Sequence, residues 1–597
     1  MIRVADYIIE RLNENGVKHI FLVTGRGILY LTDAVAKNPN IEGVSTLHEQ
    51  SASYAAMAYA SAKDGIGACL VSTGCAATNA VTAALCAFQD NLPCIFISGQ
   101  HMLNETTRHT GIPIRTFGSQ EADIIEIVKP VTKYAVMIES SESIAYEIDK
   151  AIYYANEGRK GPVWIDIPLD IQNARVEPDQ LERFEVPKVE DSILEDDIVD
   201  VVKQLNEAQR PVILIGGGVR AAGAVEELKI FVNTCSIPVV FSSSAADIYG
   251  FGNDLSIGAI GSIGGSRAGN FLIQNSDYIL AIGTKLCSQS VGSNPSTFAR
   301  YAKITVVDID KFEHTKPGIN IEKVIISDAK KFLQMLNQIQ LCKCNPDWVH
   351  RALTWKEKFA VENEKFVQEQ SSQNIIELYG FADELSKKIS DTTTIITDAG
   401  LEELIIPSTI RFHSEQRCLF PAAQGAMGYA IPAIIGAHFG GKKDIVVVVG
   451  DGSIMMNMQE LLIIKDRNIP AKIFVINNNM YAVIRRRQQD LFRNRTIGND
   501  PSDGVPSPNF KQIAQCFGLR YECIDSRANL ETGIEGVINN EGPCLCEVMC
   551  TEEQKYLHVS YAITEKRKMV RRPLEDLSPF LDRKVIAEEM VIPMIEE

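Results

Sequence analysis

The stretch Gly450–Asn479 reads "GDGSIMMNMQELLIIKDRNIPAKIFVINNN". Asp451 stands between two glycines directly after the apolar run Ile445–Val449, and Asn477–Asn479 end a second apolar run. In open parallel sheets, ligands bind beyond the carboxyl ends of the strands. Adjacent parallel strands would therefore bring Asp451 and Asn478 together. A carboxylate, an amide oxygen and a backbone carbonyl form a hard-oxygen set suited to Mg²⁺, which normally takes further oxygens from phosphate and water. Gly450 and Gly452 would let the backbone turn sharply and approach a ligand. A helix expected from Ser453 to about Asp466 would turn its free N–H groups toward an anion such as a diphosphate. The same residues also read as a plain Asp-Gly turn followed by an asparagine-rich loop.

Glu49, in "STLHEQ", precedes an alanine-rich helix expected over Gln50–Ala62. An acid there is favoured by the helix dipole alone, or it serves proton transfer. The run Arg485–Arg487, with Arg493 and Arg495 nearby, is a solvated helix face or a set of guanidinium forks for a larger anion. Gly216–Gly218, in "LIGGGVRAAG", resemble a nucleotide-binding turn. A dinucleotide-dependent dehydrogenase would need an acid at the end of the next strand. That run, "IPVVFSSS", ends in serines instead.

Short β-branched runs alternating with helical patterns must position these groups, which predicts α/β architecture with doubly wound parallel sheets. The runs group into three domains: an N-terminal unit over 1–175, a central unit over 190–345 and a C-terminal unit over 370–560. A charged tail, 561–597, follows as an ordered tail or lid. A linker is expected within "EPDQLERFEVPKVEDSILEDD". The 597 residues suit three such domains. A net charge of −17 argues against nucleic acid as a partner. No uninterrupted apolar run is long enough to span a membrane. The fourteen cysteines are scattered and lack paired C-x2-C spacing, so reduced thiols in a cytoplasmic protein are expected, with no zinc site.

Several motifs in order, "HEQSASYAAMAYA", "STGCAATNAVTAALCAFQDNLPCIFISGQ", "RPVILIGGG", "VVDID", "QGAMGYAIPAIIGA" and "GDGS…NNN", resemble the acetolactate synthase-like branch of the thiamine-diphosphate-dependent enzymes over nearly the whole chain. The text looks closest to carboligases of sugar-modifying gene clusters, especially at "VKPVTKYAV" and "RRPLEDLSPFLDR". The resemblance implies thiamine diphosphate and Mg²⁺ as cofactors. Asp451, Asn478 and the Met480 carbonyl would hold the metal, although the family more often has glycine where Met480 stands. Gly452 and Ser453 would lie at the diphosphate. Met427 would wedge the cofactor into a bent shape, and Gly425 would accept a hydrogen bond from its amino group. Glu49 would share a proton with the aminopyrimidine, giving general acid–base catalysis through the cofactor. Gln120, in "GSQEAD", would stabilise developing charge on the substrate oxygen. Ser119 stands where the synthases have phenylalanine.

The implied reaction is decarboxylation of pyruvate and transfer of the two-carbon unit to a carbonyl acceptor. Arg487 replaces a tryptophan of the biosynthetic synthases, and Lys285, in "IGTKL", replaces an arginine that holds the acceptor carboxylate. These two departures favour a nucleotide-linked keto-sugar as acceptor. The alternative is acetolactate synthesis from a second 2-keto acid, toward branched-chain amino acids. Relatives divide on whether the central domain binds FAD, so the resemblance leaves FAD open. It also implies at least a homodimer, because Glu49 and the diphosphate motif lie on different subunits in the family, with a homotetramer as the other assembly. A non-catalytic relative would have been expected to lose Glu49, which is present.

Overall fold

A computed structural model describes residues 1–187, 193–413, 415–564, 566 and 568–595. The middle of the expected linker, 188–192, lies outside the described residues. Three six-stranded sheets, parallel throughout, organise the chain. The first holds β1 (His19–Leu22), β2 (Glu42–Ser45), β3 (Gly67–Val71), β4 (Cys94–Gln100), β5 (Tyr134–Met137) and β6 (Val163–Pro168). The central sheet holds β7 (Pro211–Ile215), β8 (Val239–Phe241), β9 (Ser256–Ala259), β10 (Tyr278–Ile282), β11 (Lys303–Asp308) and β12 (Lys323–Ile326). The third holds β13 (Thr394–Thr397), β14 (Arg417–Leu419), β15 (Ile445–Gly450), β16 (Ala471–Asn477), β17 (Arg520–Ile524) and β18 (Cys544–Met549). The expected α/β fold is thus the observed one.

The first and third sheets share one strand order, β2-β1-β3-β4-β6-β5 and β14-β13-β15-β16-β18-β17. The central sheet instead runs β9-β8-β7-β10-β11-β12, the order of dinucleotide-binding folds. Inner strands such as β15 are apolar on both faces because helices cover both, and Ile445–Val449 are fully buried.

The helices that bear on function are α1 (Glu49–Lys63), α2 (Cys75–Asn79), α3 (Val81–Asp90), α4 (Ala430–Phe439), α5 (Asp451–Ile454), α6 (Leu461–Asp466) and α7 (Ala482–Phe492). α1 is buried nearly all round because it lies between its own sheet and α4 of the third domain. Small residues permit this approach: a Cβ on Gly436 would fall 2.0 Å from the Ala55 carbonyl, and one on Gly67 would fall 2.0 Å from that of Ala56. Polar bonds add register, with Ser51 Oγ to Asn457 Oδ1 at 3.1 Å and the Leu47 amide to Glu460 Oε1 at 3.0 Å.

Two helices differ from expectation. The pattern over Ala76–Gln89 is split at Ala80 into α2 and α3. The helix expected over Ser453–Asp466 is broken into α5, a 3₁₀ turn at Met458–Glu460 and α6. Asn457 causes this second break: its side-chain amide donates to the Gly428 carbonyl at 2.8 Å and to Gln50 at 3.0 Å, pinning the chain in a non-helical conformation.

The described part of the tail docks on the central domain's helix Arg267–Asn275. The buried Arg267 guanidinium donates to Glu364 at 2.6 Å and to the Leu577 carbonyl at 2.9 Å. Glu575 accepts from Gln274 at 2.7 Å and pairs with Arg300 at 2.9 Å.

In the first core, Asp166 is almost wholly buried, accepting from Ser98 at 2.6 Å and Gln100 at 3.1 Å. Burial pushes its carboxyl up to about 7. The folded chain therefore keeps a proton that the unfolded chain has already released above its ordinary value of 3.8. Stability from this group falls as pH rises from that value to about 7. We expect Asp166→Asn to gain Tm relative to wild type by on the order of 2–8 °C between pH 5 and pH 8 in paired thermal melts. A pH-independent difference would contradict it.

Candidate active site

The structure brings Asp451 and Asn478 together as expected. β15 and β16 pair in parallel with Gly450 opposite Ile476, so both residues leave neighbouring strand ends. Backbone amides of Gly452, Asn478, Asn479 and Met480 surround the Asp451 carboxyl, while burial pushes it up to about 6. Its Oδ1 accepts from the Gly452 amide at 2.7 Å, but its Oδ2 is buried without a partner, as is Oδ1 of Asn478. Buried acceptors are normally satisfied. Two unsatisfied hard oxygens on residues at neighbouring strand ends fit a divalent cation. Among the described residues no three His, Cys, Asp or Glu side chains form a metal cluster, so such a cation would rest on the mixed set of Asp451, Asn478 and the Met480 carbonyl.

The three asparagines divide the work. Asn477 is held by Glu547 at 2.6 Å, and Glu547 also accepts from the Tyr521 hydroxyl at 2.5 Å. Asn479 takes the left-handed conformation, φ 61°, with its amide on Asn477 Oδ1 at 3.0 Å. Of the three, Asn478 is the one whose side-chain oxygen is buried without a partner.

The chain turns from β15 directly into α5 with neither glycine of "GDG" at positive φ; Gly450 makes the turn at φ −69° and ψ 152°. Gly452 is required for another reason: a Cβ there would lie 2.0 Å from the Tyr481 ring. Gly452→Ala should weaken thiamine diphosphate binding, and adding Tyr481→Ala should recover part of it, with a coupling of about 1–3 kcal/mol in a double-mutant cycle. Additive losses would show that Tyr481 is not the obstacle.

Ser453 is tied to a group that sequence reasoning missed. Asp398, fully buried after β13, accepts from the Ser453 hydroxyl at 2.6 Å and the Ala430 amide at 3.1 Å. The Ser453 hydroxyl in turn accepts from the Gly428 amide at 2.9 Å. One carboxylate thus fixes the loop with Gly425 and Met427 against the "GDGS" turn. The signal was available: "TIITDAG" repeats the pattern of an acid and a glycine after an apolar strand.

Gly425 has φ 55°, and a Cβ on it would fall 2.3 Å from Glu403 Oε2. Met427 is partly buried in that loop. Burial pushes both Glu402 and Glu403 up to about 8, so this side of the site holds two acids that are largely neutral at pH 7. Neither was foreseen.

On the first domain, Glu49 is the first residue of α1, and its Oε2 accepts from Asn79 Nδ2 at 2.9 Å. Gln120 is exposed with φ 67°, and its carbonyl lies against Gly74, where a Cβ would be 2.3 Å away. Left-handed backbone at a non-glycine residue is concentrated at functional sites.

Lys285 and Arg487 are placed differently. Lys285 is half-buried, and its Nζ donates to the Gln89 carbonyl at 2.6 Å, joining the central and first domains. Gln89 Oε1 also accepts from Gln424 Nε2 at 2.6 Å, so Lys285 supports the cofactor-loop side rather than offering a free charge. Arg487 is exposed on α7 near Tyr556, whose hydroxyl donates to the Gly400 carbonyl at 3.3 Å. Its neighbours are engaged: Arg485 pairs with Asp500 at 2.8 Å and Arg486 with Asp490 at 3.0 Å.

In the central crevice, where FAD was left open, the glycine turn and the acids of "VVDID" already have partners within the chain. The glycine turn is spent on packing, since a Cβ on Gly216 would lie 2.2 Å from the Gly283 carbonyl. Asp310 of "VVDID" pairs with Arg159 of the first domain at 2.9 Å, and Asp308 meets His314 at 3.0 Å.

Comparison with known proteins agrees with this geometry. Residues 2–124 match the thiamine pyrophosphate enzyme N-terminal TPP binding domain, 198–336 its central domain and 398–548 its C-terminal TPP binding domain. The chain is 29% identical over 558 residues to the acetolactate synthase large subunit of Lactococcus lactis, covering 93% of both chains. It is 28% identical over 563 residues to the acetolactate synthase isozyme 1 large subunit of Escherichia coli, covering 92% of this chain and 94% of that one. It is 29% identical over 577 residues to a chloroplastic acetolactate synthase of Nicotiana tabacum, covering 93% and 83%. Three domain matches in order, on a fold whose third sheet ends in a hard-oxygen pair, place the chain in the thiamine pyrophosphate enzyme family as an acetolactate synthase-like enzyme.

Proposed function

We propose that the protein is a carboligase that decarboxylates pyruvate and transfers the two-carbon unit to a carbonyl acceptor, a nucleotide-linked keto-sugar. The observation that carries the cofactor reading is the pair of unpartnered buried oxygens on Asp451 and Asn478. Asp451, Asn478 and the Met480 carbonyl would hold Mg²⁺, with Gly452 and Ser453 at the diphosphate. Gly425 and Met427 would seat the ring system. Thiamine diphosphate, when bound, supplies the nucleophilic carbon and the electron sink for decarboxylation. Glu49 holds and returns a proton at its carboxylate, which Asn79 orients. Gln120 would donate its side-chain amide to the substrate oxygen as charge develops there.

Exposed apolar side chains flank both halves of the site: Ile112, Ile114 and Phe117 precede Gln120, and Met455 and Met456 follow Ser453. Such patches mark surfaces that associate. A second copy of the chain covering them would complete each site, making the enzyme at least a homodimer. No helix among the described residues is long and apolar enough to cross a membrane. The central domain reads as a structural unit without FAD, because its crevice groups are engaged within the chain.

For the acceptor, exposed Arg487 on α7, with Arg493 and Arg495 at its end, suits phosphate oxygens. The acetolactate synthases among the relatives support the second reading, with another 2-keto acid as acceptor. Mass spectrometry of products from pyruvate alone, with 2-ketobutyrate, and with a nucleotide-linked 4-keto-sugar decides between them. The sugar adduct is the expected product. Exclusive formation of acetohydroxy acids would overturn the sugar reading.

A further inference from the structure

Arg26 belongs to no motif singled out above, yet its position is among the most tightly built in the first domain. It sits in "TGRG", the turn that follows β1. Both flanking glycines are sterically required: a Cβ on Gly25 would lie 2.5 Å from Ser72 Oγ, and one on Gly27 would lie 1.9 Å from Thr73 Oγ1. The Gly27 amide donates to Ser72 Oγ at 3.1 Å. Its carbonyl accepts from the fully buried Gln172 at 2.7 Å, and Gly99 packs on that same carbonyl. The backbone is fixed on all sides, while the Arg26 side chain is exposed. Among the described residues its guanidinium makes no hydrogen bond or ion pair, in a chain of net charge −17.

Topology gives this exposed cation its meaning. In the order β2-β1-β3-β4-β6-β5, the connections leave β1 and β3 in opposite directions, so the switch point lies between those two strands. Ligands of open α/β sheets bind in that crevice, beyond the carboxyl ends. The third sheet has the same order, and its switch point is flanked by Asp398 after β13 and Asp451 after β15. Arg26 is therefore the first domain's counterpart of the Asp398 turn. The segment Ser72–Asn79, after β3, contacts three groups in turn: the Arg26 turn through Ser72 and Thr73, the Gln120 carbonyl through Gly74, and the Glu49 carboxylate through Asn79. A free guanidinium thus shares one scaffold with both catalytic candidates.

We propose that Arg26 is a specificity-determining residue that binds the oxyanion of the acceptor, a carboxylate or a phosphate; this rests on the decarboxylase–ligase reading above. The planar fork matches either anion in bidentate fashion. The acceptor is favoured over the donor on chemical grounds. The donor carboxylate leaves as CO₂, and a fixed cation gripping it would stabilise the ground state and slow that step. The acceptor's anion persists through bond formation, so holding it orients the carbonyl without that penalty.

The test uses the holoenzyme with thiamine diphosphate and Mg²⁺, as wild type, Arg26→Gln and Arg26→Lys. Calorimetry measures binding of 2-hydroxybutyrate, an unreactive carboxylate, and UDP, an unreactive diphosphate. Wild type should bind one of the two. Arg26→Gln should raise that Kd at least tenfold, and Arg26→Lys less, because lysine keeps the charge but loses the fork. The matching acceptor's KM in ligation should rise by a similar factor, with a smaller change in kcat. Carboxylate selectivity identifies a keto acid acceptor, and diphosphate selectivity identifies a nucleotide-linked one. The proposal is overturned if neither probe binds wild type at millimolar concentration, or if Arg26→Gln binds as wild type does. It also falls if only the KM for pyruvate rises. Absence of CO₂ release by wild type would defeat the decarboxylase reading, while the binding data would still judge Arg26.

Discussion

Replacing Glu49 with glutamine lowers CO₂ release from pyruvate by about 10²–10⁴-fold, the range typical of a lost general acid–base group. The substitution preserves shape, and the Asn79 amide, 2.9 Å from Glu49 Oε2, still finds an acceptor oxygen. What disappears is the ability to hold and return a proton. Thiamine diphosphate affinity should change by less than about threefold, because the proposed diphosphate and metal ligands all lie on the third domain, after β15 and β16. Steady-state kinetics with a separate cofactor titration checks both halves. A Glu49→Gln enzyme retaining more than a tenth of wild-type turnover would remove Glu49 from the reaction.

The second large effect is a separation of binding from stability. Asp451→Ala deletes a carboxylate whose Oδ2 is buried and unpartnered and whose carboxyl is pushed up by burial to about 6. Without cofactor, that group is a burden on the fold, since an uncompensated buried charge is costly. The apo variant should therefore melt at or above the wild-type temperature. Affinity for Mg²⁺ and thiamine diphosphate should fall by at least about 100-fold, the upper range seen when metal-site support is removed. The stabilisation of about 2.7 kcal/mol that cofactor at a hundred times the wild-type Kd gives wild type should fall to about 0.4 kcal/mol or less in the variant at the same concentration, read as a lost shift in Tm. A stability loss in the apo form with cofactor affinity intact would mean that Asp451 is structural.

Apolar runs in the sequence, such as "HIFLVTG", "GACLVST", "YILAIG", "DIVVVVGDG" and "PCLCEVMC", mark the inner strands of each sheet. The six strands that escaped notice, β2, β5, β9, β12, β14 and β17, are the two edges of each sheet. The reason is physical. Inner strands of a parallel sheet are covered on both faces and read as continuous hydrophobic runs, whereas edge strands such as "EGVS" and "RYECI" are partly solvated and carry polar residues. Strand order was not legible, because it depends on which faces meet after folding.

The site shows the same division. Asp451, Asn478 and Glu49 stand out by type and place, at strand ends or a helix start. Asp398 carries the same strand-end signature as Asp451 but acts as a tie between loops, and only its partners distinguish the two. The choice among Asn477, Asn478 and Asn479 also required tertiary neighbours, since Glu547 claims one of them and backbone geometry another. The break at Asn457 overrode a helical pattern because a side-chain amide found a carbonyl from a distant loop. Lys285 read as an acceptor ligand, yet its charge is directed at Gln89, a contact between domains that spacing cannot reveal.

The most direct measurement is reconstitution of the purified chain stripped of divalent metal and thiamine diphosphate, followed by CO₂ release from pyruvate. Release is predicted only when Mg²⁺ and thiamine diphosphate are supplied together, and to a far lower level in Asp451→Ala and Glu49→Gln. Release without thiamine diphosphate, or none when both cofactors are present, would contradict the account.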